Sequence, residues 1–299
     1  MVEILLKHWK LVLYLPVLIF SILLLWKAVA WVHHLIKLIF FKIQLRTAYQ
    51  GNCISQNKVG IAFDQGIVIP QNDALAVQWY RKSAKQGYPK AQHNLAWMYA
   101  QGRGVERDYQ QAFEWYQKAA NQNFSPSQNN LGNLYLQGEG VDIDKKKALF
   151  WYQQATNQND KIAQTNLGDF YCVEQKDGSK AAAWYQLAAK QGYPSAEYKL
   201  AMLYVTDKAL IGQESKAVRW FIKAAKQGYI DSYHRLGLMC LEGRGLAQSQ
   251  VKAYKYFLLA AKRGHLEAVK KIHDFVFYPL NSAESPWESQ KLFFKKKPR

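Results

Sequence analysis

An aromatic pair returns along this chain at Trp79-Tyr80, Trp115-Tyr116, Trp151-Tyr152, Trp184-Tyr185, Trp220-Phe221 and Tyr256-Phe257, at intervals of 36, 36, 33, 36 and 36 residues. Self-similarity at such a period demands a stack of like supersecondary units, each too small to bury its apolar face alone. An alanine stands three residues before every pair, at Ala76, Ala112, Ala148, Ala181, Ala217 and Ala253, and a small residue stands four after its first member, from Ser83 to Ala260. That spacing is helical. Small residues one turn either side of a large ring let a second helix approach closely, so the face is a packing face and Trp151 is expected in the core.

A second series precedes the first. Leu95, Leu131, Leu167, Leu200 and Leu236 are each followed by Ala or Gly, and four of them by Tyr four residues on, at Tyr99, Tyr135, Tyr171 and Tyr204. Cys240 holds the fifth such position, and Val59, Gly60 and Phe63 make a degenerate first copy. Each unit therefore has two helices. Asn72, Asp108, Asp144, Asp177 and Ser249, seven residues before their aromatic pairs, are N-cap types. Gly87, Asn123, Asn159, Gly192, Gly228 and Gly264, eight residues after the pairs begin, are the types that accept a left-handed helix end.

The 33-residue interval places its deletion in a loop: Tyr99 and Asp108 are separated by eight residues, Tyr171 and Asp177 by five. The deletion removes a Gly-x-Gly present at Gly102/Gly104, Gly138/Gly140 and Gly243/Gly245. Lying between two helices with no strand ahead of them, these glycines serve turn geometry and not phosphate binding.

Leu131-Gly132-x-x-Tyr135, Gly138-x-Gly140-Val141 and Ala148-x-x-Trp151-Tyr152-x-x-Ala155, closed by a glycine such as Gly87, resemble the Sel-one-like repeat, a relative of the tetratricopeptide repeat. The resemblance covers about six units and implies a right-handed superhelix of antiparallel helix pairs, used as a scaffold for protein complexes. It also implies a frequent link to export or membrane attachment in bacteria. The expected fold is thus all-α: a right-handed superhelical α-solenoid of six helix-turn-helix repeats over 55–267, closed by a capping helix over 268–280. A flexible basic tail is expected over 281–299.

Ahead of the repeats, Leu11 to Trp26 carries no charged side chain, and extending the run to Val32 gives a helix of roughly 33 Å, enough for a hydrocarbon layer of ~30 Å. Pro16 should kink it, which membrane helices tolerate. Residues 1–46 therefore read as an N-terminal transmembrane helix with its juxtamembrane continuation, and 47–54 as a linker. His33, His34, Lys37 and Lys42 interleave with apolar residues as at a headgroup layer. The competing reading is a cleaved secretory signal with Ala28-Val29-Ala30 as its processing site, leaving a secreted or periplasmic soluble repeat protein. Lys37, Lys42 and Arg46 after the span, against Lys7 and Lys10 before it, favour a cytoplasmic repeat domain on a single-pass membrane protein, in the inner membrane if bacterial.

The 299 residues carry 40 Lys and Arg against 22 Asp and Glu, a formal charge of +18. Between Thr47 and Pro279 the balance is only +10, and the other +8 belongs to the two ends. The cations of the repeats gather near second-helix carboxyl ends, where they meet the helix dipole, and the aromatics sit at packing spacing. Nucleic acid is therefore disfavoured as a partner. Cys53, Cys172 and Cys240 are odd in number and widely spaced, which implies neither a disulfide framework nor a metal site. His93, His234, His265 and His273 have no HExxH spacing, and no nucleophile elbow or P-loop is present, so neither catalysis nor a cofactor or metal is expected.

What varies from repeat to repeat points to recognition. By analogy with tetratricopeptide grooves, the first helices should line the concave face. Two residues before each repeat leucine lie Asn57, His93, Asn129, Thr165, Tyr198 and His234, and two after lie Trp97, Asn133, Asp169, Met202 and Leu238. Amide side chains for a peptide backbone and Trp97 as an apolar anchor suit an extended protein or peptide partner. The function expected is a membrane-anchored, non-catalytic protein–protein interaction scaffold or adaptor.

Overall fold

In the computed structural model the backbone is described for residues 2–207 and 212–277, with side chains from residue 19 to residue 275 of those. The expected tail, 281–299, and the last three residues of the expected capping segment lie outside the described residues. Every element within them is a helix. Contacts divide the chain at Ile143/Asp144 into two units.

The first unit holds α1 (Val2–Tyr49), α2 (Cys53–Gln65), α3 (Asp73–Lys85), α4 (Pro89–Gln101), α5 (Tyr109–Asn121) and α6 (Ser125–Gln137). The second holds α7 (Lys145–Thr156), α8 (Lys161–Val173), α9 (Gly178–Lys190), α10 (Pro194–Thr206), α11 (Glu214–Lys226), α12 (Ile230–Glu242), α13 (Gln250–Ala261) and α14 (Leu266–Phe277). Even-numbered helices from α2 to α12 carry the leucine series, and odd-numbered ones from α3 to α13 the aromatic pair. Sequence punctuation acts as its chemistry requires. The side chains of Asn72, Asp108, Asp144, Asp177 and Ser249 accept the first-turn amides of α3, α5, α7, α9 and α13. Asn123 and Asn159 take positive φ where glycine stands in the other repeats.

One expectation is corrected by the packing. The ring driven into the core is the second member of each pair: Tyr80, Tyr116, Tyr152, Tyr185, Phe221 and Phe257 are all buried, whereas Trp151 is only half-buried. The reason is the seat opposite. A Cβ at Gly60, Gly168 or Gly237 would stand 2.6 Å from the ring of Tyr80, Tyr185 or Phe257, so the residue after each leucine must be small for the hairpin to close. The tryptophan beside the buried ring points along the stack. Trp115 packs on the cluster that holds Ala76, Val77 and Tyr80 from the repeat before, and Trp220 on the cluster that holds Ala181, Tyr185 and Ala188.

Neighbouring repeats are joined in two further ways. A Cβ at Gly104 would lie 2.3 Å from the carbonyl of Asp73, one at Gly140 2.2 Å from that of Tyr109, and one at Gly245 2.5 Å from that of Glu214. The second glycine of each Gly-x-Gly thus lets a loop press backbone to backbone onto the preceding repeat's second helix. A buried glutamine series makes the other joint. Gln56, Gln92 and Gln128 donate to the carbonyls of Ala48, Ala84 and Ala120, and Gln56 and Gln92 also accept from Gln86 and Gln122 at 2.7 Å. Gln164 and Glu197 hold the same place in the second unit, accepting from Gln191 and Gln227 at 2.8 Å.

The segment read as a linker is not one. Residues 47–49 continue α1, and only residues 50–52 separate it from α2. Ala48 is buried and stands 36 residues before Ala84, and Gly51, with φ of 96°, stands 36 before Gly87. The end of α1 therefore occupies the place of a second helix for a repeat that has no first helix. Phe41 packs edge-on against Phe63, Tyr49 against Trp79, and Thr47 bonds Ser55 at 2.7 Å. At the other end, α14 lays Ala268, Ile272 and Phe275 on α13.

Candidate functional site

On a helix turning about 100° per residue, the positions two before and two after the repeat leucine lie about 160° and 200° away from it, on opposite sides of the outward direction. That difference decides their fates. The earlier position is buried in three units and half-buried among neighbouring rings in the other three. Asn57, Asn129 and Thr165 are buried, and Thr165 gives its hydroxyl to the Lys161 carbonyl at 2.7 Å. Asn57 accepts a bond from Asn94 at 3.0 Å. His93 is enclosed by Tyr116 and Phe124, with Nδ1 3.0 Å from Ser127 Oγ, and burial pushes its pKa down to about 4. Tyr198 meets Phe221 edge-on and lies tilted against Tyr229 at 4.7 Å. His234 stacks on His265 at 4.5 Å, and burial, then the neighbouring His265, lower its pKa to about 4.

The later position remains accessible. Trp97, Asn133, Asp169, Met202 and Leu238 are all half-buried, and the position one before each leucine joins them on the same side. The first unit thus presents Asn94, Trp97, Asn130 and Asn133 on α4 and α6. The second presents Asn166 and Asp169 on α8, Lys199 and Met202 on α10, and Arg235 and Leu238 on α12. Asn94, Asn130 and Asn166 escape a reading centred on the other two positions, although their interval of 36 residues is visible in the sequence.

Polar contacts hold this surface in place. Arg103 lies over Trp97 at 5.1 Å and is itself gripped by Asp73 through two bonds of 2.6 and 3.1 Å and by Asp64 at 2.9 Å. The Arg103 guanidinium in turn lowers the pKa of Asp73. Tyr116 hydrogen-bonds Asn130. Asp169 accepts from the Tyr185 hydroxyl at 2.6 Å and pairs with Lys199. Burial, followed by the Asp169 carboxylate, raises the Tyr185 pKa, so this tyrosine stays a donor.

The arrangement offers amide, aromatic and charged contacts. Among the described residues no cluster of three or more His, Cys, Asp or Glu is placed to hold a metal ion. Burial raises the thiol pKa of Cys172 and Cys240, which keeps them protonated. Three of the second-helix lysines are engaged by rings. Lys82, Lys118 and Lys223 lie 4.5, 4.1 and 4.2 Å over Trp79, Trp115 and Trp220.

Helix α1 supplies the other candidate surface. From Ile19 to Tyr49 it is long and apolar enough to cross a membrane, and its apolar stretch is unburied, with Phe20, Leu25, Trp26 and Trp31 more than half exposed. The same properties suit a signal sequence.

The Sel1 repeat model matches six consecutive stretches, 53–88, 89–124, 125–160, 161–193, 194–229 and 230–265. Among solved structures, a Sel1 repeat protein from Oxalobacter formigenes is 31% identical, with 71% of this chain and 86% of that chain covered and a TM-score of 0.64. A protective antigen of uropathogenic Escherichia coli displaying an SLR fold is 28% identical over 86% of this chain, also with a TM-score of 0.64. The present chain spans 55% of that antigen's length. The comparison with curated proteins gives no match.

Proposed function

The chain belongs to the Sel1 repeat family, whose fold is a protein-interaction scaffold, and from that premise we propose a membrane-anchored, non-catalytic adaptor. It grips an extended protein segment on the accessible stripe of its first helices. The observation that carries this reading is the contrast between positions. Residues that seat rings and join repeats are nearly invariant from unit to unit, while Trp97, Asn133, Asp169, Met202 and Leu238 differ in each and stay accessible. Trp97 supplies the apolar anchor, and Asn94, Asn130 and Asn133 supply donors and acceptors suited to a peptide backbone. His93, Asn129, Thr165, Tyr198 and His234 support that surface from behind.

Helix α1 confines the adaptor to a bilayer. Its 31 apolar-rich residues extend for roughly 46 Å, more than a hydrocarbon layer of ~30 Å, which leaves the last turns to dock on α2. Lys37, Lys42 and Arg46 on the repeat side favour a cytoplasmic repeat domain.

Two measurements test this. The mature protein should keep its amino terminus by intact mass and resist carbonate extraction from membranes; a mass beginning near Trp31 makes it an exported soluble protein instead. Trp97→Ala combined with Asn133→Ala should weaken capture of the cellular partner with the helical content unchanged, and undiminished capture moves the site to another face.

A further inference from the structure

Between α10 and α12 the accessible stripe is broken by a cavity of about 70 Å³. Met202 and Val205 form one wall and Leu238 the other, with the buried ring of Phe221 among its lining. Its polar lining is Arg235, Glu242 and Arg244. Two of these three charges answer each other and their surroundings: Arg244 donates to the Val205 carbonyl at 3.1 Å and lies 3.6 Å from Glu242 and 3.8 Å from Glu214. Arg235 makes neither a hydrogen bond nor an ion pair among the described residues. A hollow with apolar walls is thus bordered by one guanidinium left without an ion-pair partner among the described residues, on the stripe to which a peptide partner is assigned.

We propose that this cavity is a specificity pocket for a peptide carrying a short aliphatic side chain beside a carboxylate. The volume is roughly half of the ~150 Å³ in which an apolar cavity takes up benzene, which suits a branched aliphatic group and excludes an aromatic ring. The carboxylate follows from charge. With Glu242 and Arg244 paired, Arg235 is the unmatched partner, and a guanidinium engages a carboxylate through two parallel bonds more strongly than any neutral acceptor. The aliphatic group displaces water from a surface that holds it poorly, and the ion pair sets the register of the bound segment. This inference rests on the scaffold reading and names the chemistry of the segment that the second unit selects.

The test is selection of a displayed random decapeptide library on the full chain in detergent micelles, followed by affinity measurement on synthetic copies of the winners. Wild-type protein should enrich peptides with Val, Ile or Leu within two positions of Asp or Glu. Arg235→Gln should weaken those peptides about tenfold, and Arg235→Glu should replace the acidic preference by a basic one. Arg235 is partly exposed and makes no hydrogen bond or ion pair among the described residues, so neither change threatens the fold. Winners without an acidic residue, or winners indifferent to both substitutions, overturn the inference. If binding is lost in Trp97→Ala yet unaltered in Arg235→Gln and Arg235→Glu, the scaffold reading stands and the pocket does not. Failure to enrich any peptide counts against both.

Discussion

Removing the Tyr185 ring should cost far more than removing the larger ring of Trp184 beside it. Tyr185 is 3% exposed, its ring edge faces Gly168 where no side chain fits, and its hydroxyl bonds Asp169 at 2.6 Å. Truncation to alanine deletes a whole buried ring opposite a glycine that cannot fill the space, so the loss falls in the range of about 3–5 kcal/mol for large aromatic deletions. Trp184 is half-buried, and its truncation removes only part of that contact, about 1–2 kcal/mol. Tyr185→Phe isolates the hydroxyl at about 1 kcal/mol, since water can reach the half-exposed Asp169. Repeat proteins lose stability locally, so the suitable assay is hydrogen exchange of the full chain read on peptides from α8 and α9. At 1.4 kcal/mol per tenfold, Tyr185→Ala should speed exchange there by on the order of 10²–10⁴ and Trp184→Ala by about tenfold. Equal acceleration by the two, or a larger effect of Trp184→Ala, would refute the assignment of the second pair member to the core.

Gly104→Val should lower the melting temperature and open the 102–108 loop to proteases, because a Cβ there meets the Asp73 carbonyl at 2.3 Å and φ is +66°; about 2–5 kcal/mol is expected. Gly87→Ala, with nothing within 4 Å of its Cβ, should show only the milder backbone penalty of about 1 kcal/mol. Stability should fall as pH drops from about 6.5 to 4. Folded His93 stays neutral down to about 4 while the unfolded chain takes up its proton from about 6.5, so the unfolded state binds more protons in that window. His93 contributes about 3 kcal/mol of this loss and the more exposed His234 less, so His93→Gln should flatten a denaturant midpoint-versus-pH curve. Ala48→Glu would bury a carboxylate against Val59 and Trp79, and should undock the end of α1, read as fast exchange over residues 43–49 with α5 and α6 unaffected.

The repeat period, the helix boundaries and the paired helices were legible because each rests on a local rule: a cap, a left-handed residue or a ring at helical spacing. Which member of a pair such as Trp184-Tyr185 enters the core was not, because adjacent helix positions differ by a rotation that only the opposing small residue, here Gly168, fixes. The same applies to the candidate site. Positions two before and two after the leucine look equivalent in sequence, yet Asn57, Asn129 and Thr165 are buried while Trp97, Asn133 and Asp169 stay half-exposed. Asn94, Asn130 and Arg235 were overlooked although their register is regular, since polar residues on a solvated face carry no local signature. Residues 47–54 read as a linker because Ala48 and Gly51 continue the 36-residue register without the aromatic pair that advertises it elsewhere.

The adaptor reading is tested most directly by placing a photo-crosslinking amino acid at single sites of the full-length chain in living cells and recovering the membrane fraction. Sites 94 and 133, on the accessible stripe of the first helices, should both trap the same protein after illumination. Sites 110 and 118, exposed on α5, should trap none. Adducts formed from 110 and 118 in place of 94 and 133 would contradict the account.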